Sequence, residues 1–84
     1  MRVKLDAIYN MLNDGSMVGA DFELLVDYNE VLEVGEDEFE VIKLDGKIYE
    51  ECAEILAEEG FQITDSFIYY DKHFNTLTFE VELI

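Results

Sequence analysis

Leu5, Ile8, Tyr9 and Leu12 recur at the i, i+3, i+4, i+7 spacing of one helical face, which predicts a first helix. Asn13-Asp14-Gly15 follows as its stop, with a glycine available for a left-handed cap. Between residues 16 and 34 two patterns overlap. Phe22, Leu24, Val26 and Tyr28 alternate as a strand would, whereas Val18, Phe22, Leu25, Val26 and Asn29 would line a helix; the strand is the reading taken. Glu38 to Leu44 is alternating and β-branched in its first half and is punctuated by Asp45-Gly46, which predicts a strand ending in a turn.

Lys47 to Glu59 predicts a second helix. At 100° per residue Ile48, Tyr49, Cys52, Ile55 and Leu56 share one side, and Glu50, Glu51, Glu54 and Glu58 share the other. Asp45 can cap its start and Gly60 its end. Residues 63–71 and 76–83 are β-rich runs joined by Lys72-His73-Phe74-Asn75, which predicts a terminal hairpin with Phe79, Val81 and Leu83 on one side and Glu80 and Glu82 on the other. The chain has no proline, internal repeat or low-complexity tract. The expected fold is therefore α+β: a small antiparallel sheet of three to four strands with two helices packed on one face, residues 1–84 forming a single domain.

Length sharpens that picture. A domain of 84 residues hides roughly 60% of its unfolded surface, enough for one thin core but not for a deep cleft between lobes. Half of the residues are apolar and 13% aromatic, too many for a disordered acidic tail. A single cysteine, Cys52, forms no internal disulfide, and the longest aliphatic or aromatic run is residues 67–70. Neither export nor membrane insertion is expected, and a reducing cytoplasm fits best.

Charge changes the picture most. Five Lys and Arg stand against 21 Asp and Glu, for a formal net charge of -16. Residues 1–20 are balanced, while residues 21–60 hold 15 carboxylates against only Lys43 and Lys47. Such a chain repels nucleic-acid backbones and anionic membranes, so neither is expected as a direct partner. Solvation alone would raise charge throughout rather than in one region. Crowding carboxylates also makes the folded state repel itself, which calls for a cationic partner.

Candidate chemistry adds little. Cys52 sits on the apolar side of the second helix, as a buried thiol rather than a nucleophile. His73 stands alone in the hairpin connection and offers no zinc set or triad. Acid/base pairs could be drawn from many of the carboxylates, so no pair is selected. Glu36-Asp37-Glu38 and Asp14-Gly15-Ser16 match no calcium loop, and the glycines form no phosphate cradle. No catalytic, metal or cofactor site is expected.

In size, acidity and lack of catalytic motifs, the chain resembles small phage-encoded inhibitors that mimic nucleic acid, of the anti-CRISPR and anti-restriction type. Colicin immunity proteins and barstar are similar in size and acidity, but the first are helical and the second has a parallel sheet, unlike the terminal hairpin expected here. The resemblance implies a non-enzymatic, stoichiometric inhibitor in the host cytoplasm that fills the nucleic-acid channel of a CRISPR nuclease or restriction enzyme. On a strand, Glu36, Glu38 and Glu40 would project about 6.5 Å apart along one face. The expected contacts are Glu33, Glu36, Asp37, Glu38 and Glu40, the helical acids Glu50, Glu51, Glu54 and Glu58, and Tyr69 and Tyr70 as exposed aromatic anchors. The alternative is an acidic adaptor or an antitoxin- or immunity-type partner of a basic protein. A homodimer through the apolar side of the sheet is compatible with either.

Overall fold

The computed structural model describes residues 1–12 and 14–84, the side chains of Asp65 and Ser66 excepted. In chain order it contains β1 (Val3–Asn10), β2 (Val18–Leu24), the single turn α1 (Tyr28–Val31), β3 (Leu32–Val34), β4 (Val41–Leu44), α2 (Gly46–Glu58), β5 (Phe61–Asp71) and β6 (Thr76–Leu83). Four strands form an antiparallel sheet in the order β1-β2-β6-β5. β3 and β4 pair as a separate two-stranded hairpin. Among the described residues no helix is long and apolar enough to cross a membrane.

This architecture corrects the α+β expectation of two helices on a sheet of three to four strands. Among the described residues, 49% are strand and 21% helix, with two sheets and α2 as the one substantial helix. The segment expected to be the first helix is the edge strand β1. Its register against β2 slips between Leu5 and Ala7, where Asp6 is the extra residue. Such a bulge reverses which parity points inward. Val3, Leu5 and Ile8 therefore all pair with inward-facing residues of β2, and this inward set of spacing two and then three imitates a helical stripe. Gly15, at φ 72, turns the chain between two strands instead of capping a helix, and its N–H donates to the Leu12 carbonyl at 3.0 Å. Asn13, part of the expected stop, lies outside the described residues.

One face of the main sheet is covered. Ala20, Phe22, Leu24, Leu77, Phe79 and Val81 meet Ile48, Cys52 and Leu56 of α2 in a continuous core. The Phe22 and Phe79 rings meet edge to face at 5.8 Å, and Tyr49 meets Phe79 at 6.2 Å. Asp45 caps α2 by accepting from the Lys47 N–H at 2.8 Å, and Gly60 at φ 87 leads the chain out of it. The apolar side of the sheet, through which the sequence would pair two copies, is thus already occupied by α2.

The turn after β5 holds the far side together. Asn75 adopts φ 53, a left-handed conformation that costs most residues about 1–2 kcal/mol but that asparagine tolerates. From there its Nδ2 donates to the Leu24 carbonyl at 2.6 Å, its own carbonyl accepts the Leu24 N–H at 3.0 Å, and its Oδ1 accepts the Tyr70 hydroxyl. Asn75→Ala should lower unfolding stability by about 2 kcal/mol, from backbone strain plus lost hydrogen bonds. Asn75→Gly should lose less, since glycine accepts the same backbone. Urea unfolding of the two variants checks the order.

Candidate functional site

Acidic side chains stay at the surface, but not in the arrangement that strand spacing suggested. Residues 36–39 form a turn instead of the start of a strand. The Glu38 N–H donates to the Gly35 carbonyl at 3.0 Å, and Glu38 itself has φ 62. Asp37 Oδ1 accepts the N–H groups of Phe39 and Glu40 at 3.0 and 3.1 Å. These two backbone donors hold the Asp37 carboxyl below the usual carboxylate range. Glu36, Glu38 and Glu40 therefore form no even ladder; they fan out from a tight loop. Glu33 is exposed on β3 opposite Lys43 of β4.

On α2 the outer row survives in part. Glu50, Glu54 and Glu58 are exposed, with about 6 Å of rise between successive carboxylates. Glu51 departs from the set: its Oε1 accepts the Arg2 N–H at 2.9 Å and its Oε2 lies 3.7 Å from Arg2 Nε. It fastens the start of β1 to the helix. The two acidic groups also occupy different places, since α2 lies on the covered face and the 35–40 loop sits at the β5 edge, where Glu40 bridges to Tyr69.

The two tyrosines separate. Tyr69 is 41% exposed, but Tyr70 is 1% exposed, which corrects its place among the exposed anchors. Adjacent residues on a strand point to opposite faces, and the slip in β5 between Ile63 and Ile68 sets which of the pair points inward. Tyr70 stacks on Tyr28 at 5.2 Å and donates its hydroxyl to Asn75. Burial, with help from the nearby Tyr28, Asp27 and Asp71, pushes its hydroxyl pKa up.

The uncovered face of the sheet can be built from the strand registers. One row runs Lys4, Glu23, Thr76, Asp71; the next runs Ala7, Asp21, Thr78, Tyr69; Tyr9, Gly19 and Glu80 continue the third. Tyr9 leans across the sheet and donates its hydroxyl to Asp21 Oδ1 at 3.0 Å, and Thr78 Oγ1 donates to the same oxygen at 2.7 Å. Burial and this carboxylate raise the Tyr9 pKa. Gly19 leaves room for Met11, whose sulfur would stand 2.8 Å from any Cβ placed there.

At the β5 side the 35–40 loop curls over this face. The Phe39 carbonyl accepts the Tyr70 N–H at 2.9 Å, so Phe39, 57% exposed, is held at the lip although it belongs to a loop. Phe67 and Tyr69 lie together at 4.8 Å. Tyr9, Met11, Asp37, Phe39, Tyr69, Asp71 and Thr78 line an open trough of about 510 Å³. Sequence reasoning missed Tyr9, Asp21, Phe39 and Thr78. The glycine inside a strand was the one available signal, since such a residue often marks a close approach.

Among the described residues no three His, Cys, Asp or Glu side chains gather to hold a metal ion. Cys52 is fully buried, and burial, with a smaller contribution from Glu51, pushes its thiol up to about 12 from an ordinary 9.0. Between those values the folded chain keeps a proton that the unfolded chain releases, so stability falls as pH rises through that window. A disulfide reagent at pH 8 should therefore modify Cys52 only as fast as the protein opens, and Cys52→Ala should flatten the alkaline loss of stability. Thiol titration and denaturant melts between pH 8 and pH 11 check both.

No protein-family model matches this chain, and neither a curated protein nor a solved structure matches it.

Proposed function

We propose that this chain is a non-catalytic, stoichiometric inhibitor whose acidic surface occupies the nucleic-acid-binding channel of a basic protein, such as an RNA-guided or restriction nuclease, in the cytoplasm where that enzyme works. Glu33, Glu36, Asp37, Glu38, Glu40, Glu50, Glu54 and Glu58 are its steering charges. Long-range attraction from a charge of -16 would speed encounter, and each acid alone would matter modestly.

Glu38 carries the reading. Its left-handed φ of 62 is a conformation in which glycine costs about 1–2 kcal/mol less than a residue with a Cβ. Local strain of this kind persists where function calls for the side chain. The carboxylate is exposed and lies between Asp37 and Glu40 in a loop of crowded acids. Glu38→Gly should therefore raise unfolding stability by about 1 kcal/mol while weakening partner binding; unchanged binding would remove this support.

The wider test is capture of partners from the source cell on the immobilised protein, with elution by salt and, separately, by duplex DNA or structured RNA. Release of a nuclease by nucleic acid supports channel mimicry. A variant reversing Glu50, Glu54 and Glu58 to Lys should lose that capture while keeping its far-ultraviolet spectrum. A second reading, an acidic adaptor or an antitoxin- or immunity-type partner of a basic protein unrelated to nucleic acid, is favoured by the aromatic trough, because aromatic walls suit a protein side chain better than a phosphate channel does. It predicts a complex that competing DNA and RNA leave intact.

A further inference from the structure

We infer that the trough on the uncovered sheet face is a receptor for an arginine side chain of a basic partner, with the guanidinium seated over Thr78, against the Tyr69 ring and reaching the Asp21 carboxylate that borders the trough beside Thr78. The inference rests on the proposed function only in giving the partner a basic surface.

The floor dictates the position. Asp21, Thr78 and Tyr69 are consecutive cross-strand neighbours on β2, β6 and β5, so the backbones that carry Asp21 and Tyr69 are about 10 Å apart with one short side chain between them. On one side the two hydroxyls of Tyr9 and Thr78 both meet Asp21 Oδ1. Among the described residues, Oδ2 is left as the free acceptor of a carboxylate already fixed in direction. On the other side stand Tyr69 and, from the loop, Phe39. Asp37 adds a second oriented acid, because its Oδ1 is taken by the Phe39 and Glu40 N–H groups.

Charge and aromatic faces together select the occupant. A cation over an aromatic ring is attracted by the ring quadrupole, and a carboxylate alongside completes its hydrogen bonding. A guanidinium is planar, stacks on rings and donates in a fork, while an ammonium is a strongly hydrated point charge. Arginine therefore fits this pairing better than lysine does. The outer row of α2 offers acids without walls, so it attracts either cation equally.

The test titrates the isotopically labelled full chain with a six-residue arginine peptide and, separately, with a six-residue lysine peptide at physiological salt, following amide and aromatic resonances. The arginine peptide should give saturable shifts centred on Tyr9, Asp21, Phe39, Tyr69 and Thr78. Phe39→Leu and Asp21→Asn should each weaken it by about fivefold, whereas the paired change Glu54→Gln with Glu58→Gln should leave the trough shifts in place. Phe39 is exposed in a loop, so its variant keeps the fold even if Asp21→Asn disturbs the sheet. Equal trough shifts from the lysine peptide, or shifts centred on Glu50, Glu54 and Glu58, would overturn the inference and leave the acidic-surface reading standing. Trough shifts as expected, alongside failure to capture any nucleic-acid enzyme, would support the inference and sink the inhibitor reading.

Discussion

An 84-residue chain with one long helix can cover only one face of a four-stranded sheet. Antiparallel sheets tolerate this because alternate residues can be assigned to core and solvent. Here the assignment is nearly complete. Val3, Ala20, Phe22, Leu24, Leu77, Phe79 and Val81 go to α2, and Lys4, Asp21, Glu23, Thr76, Thr78 and Glu80 go to the other side. That second face, the outer row of α2 and the 35–40 loop are then open to solvent. Edges are handled separately. Phe39 and Glu40 bond to the outer side of β5, and the bulge at Asp6 bends the free edge of β1.

The same constraint decides what each carboxylate can do. Glu50, Glu54 and Glu58 on α2 and Glu36, Glu38 and Glu40 in the loop are exposed, and charges so placed act at a distance, where their sum matters more than any one of them. Glu51 is the exception, since Arg2 draws it onto the helix–sheet boundary. Asp21 differs again. Fixed by two hydroxyls on a rigid sheet, it is suited to short-range, directional contact, and its direction is set before any partner arrives. In the proposed function, steering and docking would thus fall to different surfaces of one small molecule.

What could be read from the sequence follows from how local each signal is. The second helix and the terminal hairpin were legible because capping residues, periodicity and turn residues all lie within a few positions of one another: Asp45 and Gly60 bracket α2, and residues 72–75 separate β5 from β6. Residues 16–34 hold strand, one helical turn and strand in succession: the alternation held for Phe22 and Leu24 in β2 but not for Val26 and Tyr28, and of the helical set only Asn29 lies in α1. Asp6 is what hid β1. One inserted residue shifts the inward positions by one, and no propensity at Asp6 announces that the ladder slips there. The loop misled for the opposite reason, because Glu38-Phe39-Glu40-Val41 alternates well while Asp37 bonds the backbone into a turn. The trough was out of reach of any local pattern, since its walls come from β1, β5 and a loop that meets them only in the fold.

Tyr70 shows how the hidden part governs the visible one. Removed from the surface, it is held from three directions: by the Tyr28 ring, by Asn75, and through its N–H by the Phe39 carbonyl. Asn75 in turn is tied to Leu24 at the end of β2. Residue 70 therefore meets the loop that carries Phe39 through its backbone, and through its ring and hydroxyl meets Tyr28 and the Asn75 turn that leads to the strand carrying Asp21. Side chains that bind well are those whose orientation is settled by packing behind them. Tyr70 is thus a positioning residue for the trough, tied on its far side to the core on which the open face is mounted.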